Sequence, residues 1–179
     1  MSSPPLLIDR LPPLKVSHLA WFEGEDAADG VGLGCNRDYR DLRGLTVEDL
    51  RLVIDRETRE LDRVAMNRLR CAGCEDGCDE CEVEIDGLEL GVASVVVALS
   101  VIGCIPYTSC NGGLLGGAHA AEVCIVGFYM RPAHVSQVKA AAGQARVGLT
   151  NDRCGGFYVL ADDPRAMMAF AVALSGLAD

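Results

Sequence analysis

Thirteen consecutive residues, Leu90 to Ile102, carry no charge and are apolar on every side. A segment without a polar face has to be surrounded by the rest of its chain, so any fold of this chain is built around that run. It is rich in valine, which suits a strand, but its length favours a buried helix. Just ahead of it, Asp86-Gly87-Leu88-Glu89 has the form of a capping box, with Asp86 as N-cap and Glu89 three residues on. Gly103 is a natural stop at the far end. The run is shorter than the roughly 20 residues that cross a bilayer, so no membrane span is expected.

What surrounds the run differs on its two sides. Residues 1–90 carry 21 acids and 11 bases, whereas residues 91–179 carry five of each. The whole net charge of -10 therefore lies ahead of the apolar half. From Glu75 to Glu89 there are eight acids and no base. Such a surface repels phosphate, which disfavours nucleic acid and anionic membrane as partners. Its plain role is a solvated face. Only 5% of residues are aromatic against 50% hydrophobic, so core volume has to come from Val, Leu, Ile and Ala. A chain of 179 residues fits one domain, or one domain with an appendage, and does not need cysteines to hold together. No secretory signal is visible in Met1 to Leu7, and a cytoplasmic protein is expected. There, nine cysteines mean thiols or metal ligands before disulfides.

Three regions follow. Residues 1–45 read as an arm, because Pro4-Pro5 and Pro12-Pro13 break regular structure. Its Val16–Phe22 stretch reads as a short edge strand, with Trp21 as an anchor and His18 structural. Gly30-Val31-Gly32-Leu33-Gly34 reads as a turn, since a phosphate loop needs a strand before it. Cys35 reads as a buried thiol, with a distant metal ligand as the alternative. Residues 46–81 hold a helix from Thr46 to Arg70 and a cysteine knuckle. Thr46 is the N-cap candidate, and Leu50, Val53, Ile54, Leu61, Val64, Ala65 and Leu69 make an apolar stripe that Glu57 interrupts.

Residues 82–179 read as strand 82–86, the buried helix, strand 104–110, strand 123–130, a helix from Pro132 to about Ala145, strands 147–150 and 157–160, and a helix capped by Asp163-Pro164. Pro106 confines its strand to an edge or a strand start. The first six elements match the split β-α-β-β-α-β unit, so the predicted class is α/β (α+β) with a ferredoxin-like antiparallel sheet and helices on one face. His134, in a helix's first turn, reads as surface.

The chemistry-bearing motif of highest density is Cys71, Cys74, Cys78 and Cys81, spaced C-x2-C-x3-C-x2-C. Two C-x-x-C pairs are the usual grip on tetrahedral zinc. The three-residue spacer demands a tight wrap, for which Gly73 and Gly77 supply backbone freedom. Arg63, Arg68 and Arg70 lie just before it and favour thiolate. The expectation is a structural zinc knuckle, with an iron–sulfur cluster or redox thiols as alternatives. Cys74, Cys78 and Cys81 also give C-x3-C-x2-C, which resembles the iron–sulfur signature of radical S-adenosylmethionine enzymes.

The second site is Ser109-Cys110-Asn111-Gly112-Gly113 with His119 after it. A cysteine at a strand's end, opening into a glycine loop, is exposed to backbone N–H donors that stabilise thiolate or a bound anion. His119 is the candidate base for a Cys110 nucleophile. A helix followed by G-x-x-x-x-(T/S)-S-C-x-G, here Gly103 to Gly112, resembles the SCxG loop of small bacterial proteins and of the wybutosine-synthesis proteins. That resemblance implies that Ser109, Cys110, Asn111 and Gly112 line a ligand pocket. The expected function is binding of a protein partner or small molecule by a metal-stabilised domain, with a homo-oligomer allowed. The alternative is a Cys110/His119 enzyme in thiol or acyl-transfer chemistry.

Overall fold

The computed structural model of the chain describes residues 41–68, 84–115, 121–151 and 155–176. Helix α1, Val47–Arg68, starts at a reciprocal cap. The Thr46 hydroxyl accepts the Asp49 N–H at 3.2 Å, and the Asp49 carboxylate accepts the Thr46 N–H at 2.7 Å. Two of the four N–H groups that a helix start leaves without partners are thus engaged. The expected stripe packs inward at Leu50 and Leu61, which are buried; Ala65 is exposed.

The chain then makes a tight hairpin of β1, Glu84–Ile85, and β2, Leu88–Glu89. Asp86 and Gly87 form the two-residue turn with φ of 55° and 82°. Positive φ at both positions is the geometry that Asp-Gly favours in a hairpin. This corrects the reading of Asp86–Glu89 as a capping box: the hairpin claims Asp86, and the helix begins later. Helix α2, Ala93–Val101, is the apolar run, with Ala93 through Ser100 all buried. Gly103, at φ 85°, ends it. The Cys104 N–H reaches back to Leu99 and the Gly103 N–H to Ser100, both at 2.9 Å, which satisfies the last carbonyls.

Next come β3, Ile105–Cys110, and β4, Cys124–Tyr129; a 3-10 turn, Pro132–His134, leads into α3, Val135–Ala145. The chain closes with β5, Gly148–Asn151, β6, Phe157–Ala161, and α4, Pro164–Ser175. The Asp163 side chain caps α4 by accepting the Arg165 N–H at 2.9 Å, and Met167, Phe170, Ala171 and Leu174 bury its inner face.

The four long strands form one antiparallel sheet in the order β3-β4-β6-β5. β3 is an edge strand, one of the two placements that Pro106 permits. This order corrects the split β-α-β-β-α-β expectation. That arrangement puts strand 82–86 between β4 and β5; β6 holds the place instead, with Val126 opposite Val159 and Leu149 opposite Val159. The physical reason is local. The Asp86-Gly87 turn closes Glu84–Ile85 onto Leu88–Glu89 after two residues. Ile85 is then buried in a small cluster with Leu61, Leu90 and Ala93. The observed class is a mixed α+β fold in which the order helix–hairpin occurs twice, α2-β3-β4 and α3-β5-β6, before α4.

One sheet face carries Val126, Phe128, Leu149, Phe157 and Val159 into a core shared with α2, α3, α4 and Leu50 of α1. Burying each such side chain is worth roughly 1.5–3 kcal/mol. Strand alternation sets Ile125, Gly127, Tyr129, Tyr158 and Leu160 on the other face. There Tyr107 stacks on Tyr129 with ring centres 4.7 Å apart and meets Tyr158 edge-on at 6.0 Å. Gly127 is their floor, since a Cβ on it would lie 2.9 Å from both the Tyr107 and Tyr158 rings. No helix among the described residues is long and apolar enough to cross a membrane.

Candidate functional site

Cys110 is the last residue of β3 and lies opposite Ile125 of β4. A register shift between Pro106 and Thr108 lets Tyr107 bulge onto the tyrosine face. Beyond Cys110 the chain turns through Gly112 and Gly113 at φ 70° and 66°. Gly112 is required twice over: only glycine adopts this φ without strain, and a Cβ there would lie 2.4 Å from the Val123 carbonyl oxygen. The turn aims the Gly112 N–H at the Cys110 sulfur, 3.3 Å away.

The N–H groups on either side of Gly112 are already engaged. The Asn111 N–H donates to Glu89 at 2.6 Å, and the Gly113 N–H to the Asn111 side-chain oxygen at 2.9 Å. Asn111 itself is buried. Among the described residues of the loop, the N–H groups of Asn111, Gly112 and Gly113 are thus not open to an anion, and the one at Gly112 serves the sulfur. The Glu89 carboxylate, the Cys110 sulfur and the Asn111 side-chain oxygen take up the N–H groups of Asn111, Gly112 and Gly113, and the nucleophile among these acceptors is the sulfur, with Glu89 beside it as a carboxylate.

The described cysteines fall into two kinds. Cys104 and Cys124 are buried, and burial pushes both thiols up to about 12, with Glu57, Asp163, Cys110 and Glu89 adding to the effect at Cys124. The Cys124 thiol donates to the Asn111 carbonyl at 3.4 Å, as a protonated group does. Cys110 is half-buried and receives the N–H. Because Cys110 pairs with Ile125, strand alternation turns its side chain to the face opposite Cys124, so the two are not set for a disulfide.

Behind the loop stands Glu57, which is 1% exposed. Its carboxylate accepts the N–H groups of Gly91 at 2.8 Å, Ala93 at 3.2 Å and Ser94 at 3.0 Å. Helix α2 has no side-chain cap of its own, so α1 supplies one from across the fold. Burial raises the Glu57 carboxyl above its ordinary value of 4.5, and the N–H bonds with the neighbouring Ser94 hydroxyl pull it partly back.

Of the residues singled out in the sequence, Asn111, Gly112 and Gly113 form one turn against Cys110, whereas Ser109, inside β3 and opposite Val126, lies on the other face of the sheet from Cys110. His119, Cys71, Cys74, Cys78 and Cys81 lie outside the described residues, as do His18, Trp21, Cys35 and Cys154. The described ends of the β5–β6 connection, Asn151 and Phe157, pair near Phe128 at the other end of the sheet from Cys110. His134 lies in the 3-10 turn and is half-buried. Among the described residues, no three His, Cys, Asp or Glu side chains are arranged to hold a metal ion. Glu57 and Glu89 are the site residues that sequence reasoning did not assign. For Glu57 the signal was present, as an acid breaking an apolar stripe.

The fold and this turn define an antiparallel α+β protein with a thiol loop at the end of an edge strand. Comparison of the chain with models of known families, with curated proteins and with solved structures found no match.

Proposed function

We propose that this chain is a cytoplasmic protein that captures a small electrophilic ligand at Cys110, and that Cys71, Cys74, Cys78 and Cys81 hold a structural zinc. The observation that supports the first part is the contrast among the described cysteines: two thiols are buried and held protonated, and the third accepts an N–H at 3.3 Å in a half-buried turn. An N–H aimed at sulfur favours thiolate, the nucleophilic form. On this reading His119 takes the thiol proton as the Cys110 sulfur attacks the electrophilic atom and returns it to the group that departs from that atom, so the reaction class is thiol or acyl transfer.

The test is mass-spectrometric mapping of alkylation by iodoacetamide near neutral pH. Cys110 is expected to react faster than an ordinary exposed thiol and to lose that advantage in His119→Ala. A Cys110 rate no faster than that of an unstructured cysteine peptide removes the thiol reading. The metal part is tested separately by elemental analysis of protein purified without added metal. About one zinc per chain is expected; iron with visible absorption would favour the cluster alternative, and no metal with readily titrated thiols would remove both.

A further inference from the structure

The segment Glu89–Ser94 is held from two sides. On one side, Glu57 of α1 binds the N–H groups of Gly91, Ala93 and Ser94, and Leu61 of α1 packs with Leu90. On the other side, Glu89 holds the Asn111 N–H at 2.6 Å, and Gly91 lies where an added Cβ would meet Leu115 at 3.1 Å. The thiol loop is therefore fastened to a strip of backbone that is itself fastened to α1.

We propose that Glu57 is a proton-operated latch: through it α1 docks on Glu89–Ser94, and that docking sets how firmly the Cys110 loop is held. The regulatory part rests on the reading of Cys110 as the working thiol. Among the described residues, the titratable groups whose charge acts together with that of Glu57 do so on the Cys124 thiol of β4: Asp163 ahead of α4, Cys110 of β3 and Glu89 of β2. Helix α2 offers backbone N–H groups and the Ser94 hydroxyl. The ion pairs Arg56–Asp86 and Arg165–Asp62 lie further out, with exposed side chains.

In the docked state the carboxylate is stripped of water, and burial favours its neutral form. Released with α1, it regains water and its ordinary value. The docked state thus binds the proton more tightly. Docking is strongest at low pH and loosens as pH rises through the raised value of Glu57, by at most about tenfold per pH unit for one proton.

The experiment is hydrogen exchange of the full chain from pH 5 to 8, corrected for intrinsic rates, at the amides of Gly91, Ala93, Ser94 and Asn111. In the wild type their protection is expected to fall together as pH rises, by up to about tenfold per unit, and in Glu57→Gln to stay level. Glu89→Gln serves as the control for the second carboxylate and should retain the slope at Gly91, Ala93 and Ser94. An equal slope in Glu57→Gln, or a level Asn111 beside a falling Gly91, overturns the latch. If Glu57→Gln does not fold, the Glu57 carboxyl carbon is titrated by NMR in the wild type. A midpoint above the ordinary glutamate value that coincides with the loss of Asn111 protection supports the proposal, and a midpoint at the ordinary value overturns it. Cys110 alkylation is measured alongside. Fast alkylation with pH-independent amides sinks the latch alone, whereas slow alkylation with pH-linked amides sinks the thiol reading and its regulation together.

Discussion

Glu57 and Gly112 carry more of this structure than their neighbours in sequence suggest. Removing the Glu57 carboxylate leaves three buried N–H groups without an acceptor, each worth about 1–3 kcal/mol when unsatisfied. Glu57→Ala is therefore expected to lower stability by several kcal/mol in urea unfolding at neutral pH; a loss under about 1 kcal/mol would mean that water replaces the carboxylate. The sign of the pH dependence is set by the raised carboxyl. A Glu whose folded value lies above its ordinary 4.5 contributes stability below that value and loses it as pH rises through the folded one. Asp41 works in the opposite sense: its hydrogen bond to Arg43 lowers its carboxyl, so its contribution is present above 3.8 and lost on further acidification. At Gly112, substitution by Ala meets the Val123 backbone at 2.4 Å and a φ of 70°. The turn has to open, which takes the N–H away from the Cys110 sulfur. Gly112→Ala is expected to slow Cys110 alkylation to the rate of an ordinary thiol while the far-UV circular dichroism is kept.

Among the elements, the β1–β2 hairpin and the tyrosine face show how local chemistry redirects topology. Asp86-Gly87 admits both a helix cap and a hairpin turn on paper. Only the second closes Ile85 over Leu61 and Leu90, and burial decides between them. Gly87→Ala, at φ 82° with nothing within 4 Å of the new Cβ, is a pure backbone test. It should cost on the order of 1 kcal/mol in thermal unfolding, and a neutral result would show that the turn relaxes. On the tyrosine face of the sheet, Gly127→Ala drives a methyl to 2.7 Å from the Thr108 side chain and 2.9 Å from two tyrosine rings. Overpacking of that kind costs roughly 1–3 kcal/mol, read as a fall in Tm together with a change in tyrosine fluorescence.

At the scale of the whole molecule, the fold hangs on α2. Leu99 is fully buried in the core that α2 shares with the sheet and the other helices, so Leu99→Ala is expected to cost about 2–5 kcal/mol in urea unfolding. The burial of α2 could be read directly from the sequence, because an uncharged run has no alternative to being surrounded. The caps at Thr46 and Asp163 and the approximate extents of β3 to β6 were legible for the same kind of reason, since each depends on residues within a few positions of one another. The neighbour of β4 was not legible. Strand order depends on which apolar faces meet across long sequence distances, and a two-residue turn withdrew 84–85 from the sheet. Nor was the role of Glu57 legible: a helix start thirty-odd residues away had to be folded against it before an acid in an apolar stripe became a cap. The sequence by itself determined that a glycine turn follows Cys110, because only glycine tolerates positive φ there. Tertiary structure alone decided that the Asn111 N–H is taken up by Glu89, 22 residues away, because packing has to bring that acceptor within reach, whereas the Gly112 and Gly113 N–H groups bond acceptors two residues back within the turn.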